Sequence, residues 1–284
     1  MEIRQLLEIG NKKLTGVEFV DPIKESIFIL SKVLDVDKSF VYINFDKWVN
    51  EKQTEKFLEI IDRRALGEPI SYIFNTKEFM GIDFFVEKGV LIPRWETEIL
   101  VEYIIDYIEK NFKDEDINLL DIGIGSGAIS LSIAKNCKNV EVLGIDISNR
   151  AISVSNKNLD RLALDNVSFR KSNLFESIKS DERFSIIVSN PPYIKTEVIK
   201  DLQRDVKEFE PSLALDGGMD GLLFYRKISK DSKNYLLDKG MLIYEIGFDQ
   251  GKSVKKIMSD EGFKDVKVIK DLQGLDRIVL GFKK

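Results

Sequence analysis

Ile117-Asn118-Leu119-Leu120-Asp121-Ile122-Gly123-Ile124-Gly125-Ser126-Gly127-Ala128 is the stretch whose reading decides the fold. An apolar run of strand length gives way to a loop with a glycine at every second position, and an apolar helical pattern follows. The glycines permit a tight turn and close approach of the backbone to a ligand. Outward from here, strand-like runs recur at 140–145, 167–170, 184–189, 241–246, 266–269 and 277–281, most of them separated by helical patterns. With 117–122 they predict a doubly wound α/β fold, a mostly parallel sheet of seven strands with helices on both faces. The link 270–276 is too short for a helical crossover, so the last strand is expected to run antiparallel.

The second strand ends in Asp146, which can accept from both hydroxyls of a ribose. The glycine loop, with Gly123, Ile124, Gly125, Ser126 and Gly127, together with this acid predicts a nucleoside cofactor. Gly123-x-Gly125-x-x-Ala128 also fits a dinucleotide pattern. Asp121 favours S-adenosylmethionine instead, since a carboxylate there repels a pyrophosphate but suits an ammonium or sulfonium. After the third strand, Asn173 is placed to accept from an adenine amine and Leu174 to cover the ring.

The second decisive stretch is Asn190-Pro191-Pro192-Tyr193, directly after the buried run 184–189. Two prolines have no N–H for a ladder, so the strand ends there, and Asn190 is pushed out of the helical region. Open α/β sheets bind ligands at this edge. The Asn190 side-chain carbonyl and the Pro191 main-chain carbonyl can hold both hydrogens of a planar –NH2 group. Tyr193 can stack on that group and its face can accommodate a sulfonium. A delocalised nitrogen is a poor nucleophile, and gripping both hydrogens fixes its approach and strengthens as charge develops. This elbow has no role in hydride transfer. The expected chemistry is methyl transfer to a planar nitrogen, with Asn190, Pro191 and Tyr193 catalytic and Pro192 completing the substrate grip.

Composition removes other classes. The 284 residues contain no histidine, which excludes histidine triads and metal sites built on histidine. One cysteine, Cys137, allows neither an internal disulfide nor a multi-cysteine zinc site, and it reads as a small core residue. No metal is expected. A net charge of −5 argues against a grip on bare nucleic acid. No apolar run reaches membrane-spanning length and Met1-Glu2-Ile3-Arg4-Gln5 is no signal peptide, so no membrane and a cytoplasmic location are expected. Residues 1–70 carry helical apolar spacing, with Asp21-Pro22 as a helix start and Gly67-Glu68-Pro69 as a stop. Residues 71–93 read as a hairpin linker around Gly81, and 94–284 as the cofactor domain.

The chain resembles the peptide chain release factor glutamine methyltransferases over nearly its whole length. The resemblance rests on Gly67-Glu68-Pro69-Ile70-x-Tyr72-Ile73, Leu91-Ile92-Pro93-Arg94-x-Glu96-Thr97-Glu98, the glycine loop, Asn190-Pro191-Pro192-Tyr193-Ile194, Glu210-Pro211-x-x-Ala214-Leu215, Gly218-x-Asp220-Gly221-Leu222, Glu245-Ile246-Gly247-x-x-Gln250 and Asp276-Arg277. Trp95 stands where the family usually has Pro, Ile124 where Thr is usual and Asn173 where Asp is common. The resemblance implies a class I methyltransferase fold, S-adenosylmethionine as cofactor, and methylation of the glutamine amide in the Gly-Gly-Gln loop of class I release factors. It also implies that the helical N-terminal domain helps hold that partner. The alternative is methylation of an exocyclic amine of a nucleic-acid base, which uses the same elbow but also needs phosphate contacts. Residues 197–220 hold seven acids against three bases, an acidic rim that suits a basic protein loop better.

Overall fold

The computed structural model describes every residue of the chain except Phe19 and Asp114. It divides into two compact units, one of Met1–Phe74 with Gln203–Phe209 and the other of Asn75–Leu202 with Glu210–Lys284.

The first unit is helical: α1 (Ile3–Leu14), α2 (Pro22–Leu34), α3 (Lys38–Ile43), α4 (Glu51–Ala65) and the single turn α5 (Ile70–Ile73). Local chemistry sets the helix starts. The Asp21 carboxylate accepts from the Lys24 N–H with Pro22 at the first turn, and Asn50 caps α4 through the Gln53 N–H. The apolar stripes of α1, α2 and α4 meet in one core around Leu6, Leu30, Phe57 and Ile61.

The second unit contains β1 (Lys77–Phe79), β2 (Ile82–Phe84), α6 (Trp95–Asn111), β3 (Ile117–Ile122), α7 (Ala128–Asn136), β4 (Val140–Asp146), α8 (Asn149–Leu162), β5 (Val167–Lys171) and β6 (Phe184–Ser189). After α9 (Arg204–Phe209), which belongs to the first unit, come α10 (Leu223–Ser232), β7 (Leu236–Glu245), α11 (Gly251–Asp260), β8 (Lys264–Lys270) and β9 (Asp276–Phe282). The sheet has seven strands in the order β5-β4-β3-β6-β7-β9-β8. All run parallel except β9, which lies antiparallel between β7 and β8. The strand order reverses between β3 and β6, so the two strand ends that carry the glycine loop and the proline elbow sit side by side at a topological switch point.

Alternate residues of each strand feed opposite cores. Leu119, Val142, Ile186 and Ile243 pack with α6 and α7, while Leu120, Ile145, Ile187 and Leu242 pack with α10 and α11. Because both faces are covered, β6 is buried at every position. Strand β7 begins earlier than its apolar run, at Leu236, because Leu237, Asp238 and Lys239 face solvent and mask the pattern.

The hairpin β1–β2 is not a linker. Phe79, Ile82 and Phe84 are buried among Leu100, Val101 and Ile104 of α6, so this segment belongs to the core of the second unit, and the division falls at 74/75 rather than 70/71. Burying three large apolar side chains outweighs what a short two-stranded ribbon could gain alone. Cys137 is buried just after α7. Among the described residues no helix is long and apolar enough to cross a membrane.

Candidate active site

The glycine loop takes its shape from backbone conformations that favour glycine: Gly123, Gly125 and Gly127 have φ of +82°, +55° and +81°. Asp146 holds the loop there. One of its carboxylate oxygens accepts from the Gly125 N–H at 3.0 Å and the other from the Ser148 N–H at 2.8 Å. Burial raises the Asp146 carboxyl above its ordinary value and these backbone bonds pull the other way. Each oxygen keeps a second lone-pair site, the acceptor pair that a ribose diol requires.

A cavity of about 330 Å3 opens at the carboxyl ends of β3, β4 and β6. Ten residues singled out in the sequence line it: Gly123, Ile124, Gly125, Ser126, Asp146, Asn173, Leu174, Asn190, Pro191 and Pro192. Leu174 holds φ at +49°, a left-handed conformation in which its carbonyl accepts from the Ser172 hydroxyl at 2.6 Å. The Asn173 amide donates to Glu176 at 2.7 Å, which leaves its carbonyl oxygen as the acceptor available to a ligand. Val90, Ile147 and Leu174 add apolar walls. The glycine cradle, the free lone pairs of Asp146 and these walls fit an adenosyl group.

Three residues of the sequence reading, Asp121, Gly127 and Tyr193, do not line the cavity. Gly127 caps α7 from below the loop. Asp121 is fully buried and accepts from the Ser130 hydroxyl at 2.6 Å, and its other oxygen has no partner among the described residues. Burial pushes its carboxyl up to about 7; the Ser130 bonds pull it down and the Asp146 charge adds to the rise. An unfolded chain releases such a proton near pH ~4, so between there and pH 7 the folded protein binds more protons and loses stability as pH rises. Asp121→Asn retains an acceptor for Ser130 and should flatten this dependence. Thermal melts from about pH 5 to 8 should show a smaller fall in Tm than wild type, and equal slopes would exclude Asp121 as the source.

The elbow is anchored from several directions. The Ser189 hydroxyl donates to the Ile122 carbonyl at 2.7 Å, tying β6 to β3. The Asn190 side-chain amide donates to the Thr97 hydroxyl at 3.3 Å. Gln250 donates to the carbonyls of Tyr193 at 3.0 Å and Gly221 at 3.2 Å, while its own oxygen accepts from the Gly247 N–H at 3.0 Å. Gly217 lies so near the elbow that an added Cβ would stand 2.8 Å from the Pro192 carbonyl. The Tyr193 ring packs against the second apolar core, and burial pushes its hydroxyl up to about 12. The ring does not line the cavity.

Sequence reasoning missed several supporting residues because their partners are remote. Arg94, on the cavity wall, binds both oxygens of the buried Glu210, at 2.6 and 2.7 Å. The Leu-Ile-Pro-Arg segment was a usable signal for Arg94 and the Glu210-Pro211 stretch for Glu210, but nothing local pairs the two. The acidic rim is also less acidic than its composition. Glu210 is spent on Arg94 and Asp220 pairs with Arg226. Among the described residues, no group of three or more His, Cys, Asp or Glu side chains is placed to hold a metal.

Fold and cradle together define a class I methyltransferase that uses S-adenosylmethionine. Two solved structures share this fold: a Thermus thermophilus 16S rRNA N2 G1207 methyltransferase in complex with AdoMet and guanosine, and a methyltransferase from Pyrococcus furiosus. The first has a TM-score of 0.54 at 17% identity, covering 74% of this chain and 50% of that one. The second has a TM-score of 0.52 at 20% identity, covering 81% and 98%. Residues 97–214 match the family model of the methyltransferase small domain, and residues 5–74 that of the PrmC N-terminal domain. The release factor glutamine methyltransferase of Clostridium acetobutylicum is 45% identical over 274 residues, 95% of this chain and 94% of its own. That of Buchnera aphidicola is 39% identical over all 284 residues, with full coverage of both chains. The chain belongs to the release factor glutamine methyltransferase family.

Proposed function

We propose that this protein methylates the side-chain amide nitrogen of the glutamine in the Gly-Gly-Gln loop of class I release factors. The observation that carries the reading is the elbow. Asn190 donates an amide hydrogen to the Thr97 hydroxyl, so its carbonyl oxygen is left for the cavity, whose wall also includes Pro191. Two acceptors side by side match the two hydrogens of a primary amide. S-adenosylmethionine would be held by the glycine loop, Asp146 and the 172–174 segment and would supply an electrophilic methyl group. The C–S bond breaks to leave S-adenosylhomocysteine, and the methylated nitrogen releases one proton to water. Asn190 and Pro191 grip the amide hydrogens, fix the nitrogen in line and gain strength as positive charge develops on it. The elbow requires no strong base for this, which accords with a chain without histidine.

The helical unit supports recognition of a protein rather than a small amide. Tyr42, Ile43, Phe45 and Trp48 are all exposed in one short stretch of it, Ile43 at 79% and Trp48 at 74%. Replacing Ile43 and Trp48 with serine should raise KM for an intact release factor about 10-fold or more, while a short Gly-Gly-Gln peptide is methylated as before. Unchanged KM for the intact factor would remove this patch from recognition. The proposed substrate, a soluble translation factor, supports a cytoplasmic location.

The direct test incubates the protein with methyl-labelled cofactor and either a release factor or nucleic acid. Label in the glutamine amide of the factor is expected. Label in nucleic acid alone would establish the exocyclic-amine reading instead.

A further inference from the structure

Glu245 ends β7 and is 1% exposed. Register places Ser189 opposite Tyr244, so Glu245 and Asn190 occupy the next positions at the carboxyl ends of neighbouring parallel strands. The Glu245 carboxyl lies beside the Thr97 hydroxyl and the Asn190 amide, both of which pull its carboxyl down, and the Thr97 hydroxyl accepts from Asn190 at 3.3 Å. Its Oε2 has no partner among the described residues. Burial raises its carboxyl to about 7, with the bonds from Thr97 and Asn190 and the charge of Arg277 pulling down and Glu96 pushing up. A buried carboxylate is costly to keep, and Glu245 does not line the cavity.

We propose that Glu245 is a positioning residue that sets which way round the Asn190 amide sits. The two ends of an asparagine amide are nearly the same size, so hydrogen bonding alone decides between them. With one N–H given to Thr97 and the –NH2 turned toward the neighbouring Glu245 carboxyl, the carbonyl oxygen of Asn190 is the end presented to the cavity. The reversed amide would set a carbonyl against a buried carboxylate and an –NH2 against the –NH2 of the substrate. Both clashes disfavour it, the first because an unpaired charge in a dry site is expensive. This inference rests on the reading that Asn190 grips the substrate amide.

The test measures kcat, KM and cofactor Kd with a release factor as substrate. Glu245→Leu removes the acceptor and should lower kcat about 10–100-fold while cofactor Kd stays within about threefold. Glu245→Gln retains an oxygen that can accept from both Asn190 and Thr97, and should recover most of that loss. Asn190→Asp sets two carboxylates against each other. Adding Glu245→Gln to it supplies an N–H for the new carboxylate, so the double variant should turn over at least about 10-fold faster than Asn190→Asp alone. A purely structural Glu245 would make the second substitution neutral or harmful. Full turnover in folded Glu245→Leu, with Asn190→Ala inactive, overturns the proposal and leaves the reading of the elbow intact. Full turnover in Asn190→Ala overturns that reading itself. If Glu245→Leu does not fold, the Asn190→Asp pair decides: no gain from Glu245→Gln overturns the proposal.

Discussion

Asn190→Ala should lose about 10²–10³ in kcat while cofactor affinity stays within a few-fold, by analogy with removal of one preorganised donor from an oxyanion site. The residue stands on the cavity wall just after β6 and donates to Thr97. Alanine removes one of two acceptors whose hold on the substrate strengthens as charge develops on nitrogen. The loss belongs to the transition state, so it should appear in kcat and kcat/KM together. The elbow itself should survive, because Ser189, Gln250 and Ile194 anchor it through bonds that do not involve the Asn190 side chain. Asn190→Asp retains an acceptor but loses the amide hydrogens, and partial activity is expected. Single-turnover kinetics with calorimetry for the cofactor check both variants. Near wild-type turnover in the alanine variant would sink the mechanism.

Asp146→Ala should weaken cofactor binding about 10–100-fold, roughly 1.5–3 kcal/mol, the scale of a hydrogen bond to a charged group. The structure adds a second reason to the ribose contact. Alanine also frees the Gly125 and Ser148 N–H groups that the carboxylate holds, so the cradle loses its brace. For the same reason Asp146→Asn is not conservative. Both oxygens accept from backbone N–H groups, and an asparagine must set its own –NH2 against one of them. Calorimetry should place both variants well below wild type. An asparagine variant that binds as tightly as wild type would show that the brace contributes nothing.

The nucleoside cradle was legible because its signals are local. A strand, a glycine at every second position and an acid at the end of the next strand lie within 30 residues. The same holds for the proline elbow and for the Asp21-Pro22 helix start. Asp121 shows the limit. A carboxylate next to the glycine loop was read as a contact for a cation; its side chain projects from the sheet toward α7, where it accepts from Ser130, and it does not line the cavity. Adjacency along the chain says nothing about which side of a strand a residue faces when both faces are buried. Tyr193 is another case: its ring packs against the apolar core and does not line the cavity.

By itself, then, the sequence determined the strand and helix pattern, the doubly wound class, the glycine cradle with its acid and the proline elbow. Each of these is written in short runs of the chain, with the cradle and its acid within 30 residues. Only the tertiary structure decided that β9 inserts between β7 and β8 and that the β1–β2 hairpin joins the core. It also decided that Thr97, Glu245 and Gln250 converge on the elbow from α6, β7 and the start of α11. These outcomes follow from which buried surfaces and unpaired polar groups find each other across long stretches of chain. That choice is made by packing and by the cost of leaving a buried donor or acceptor alone, and no local pattern encodes it.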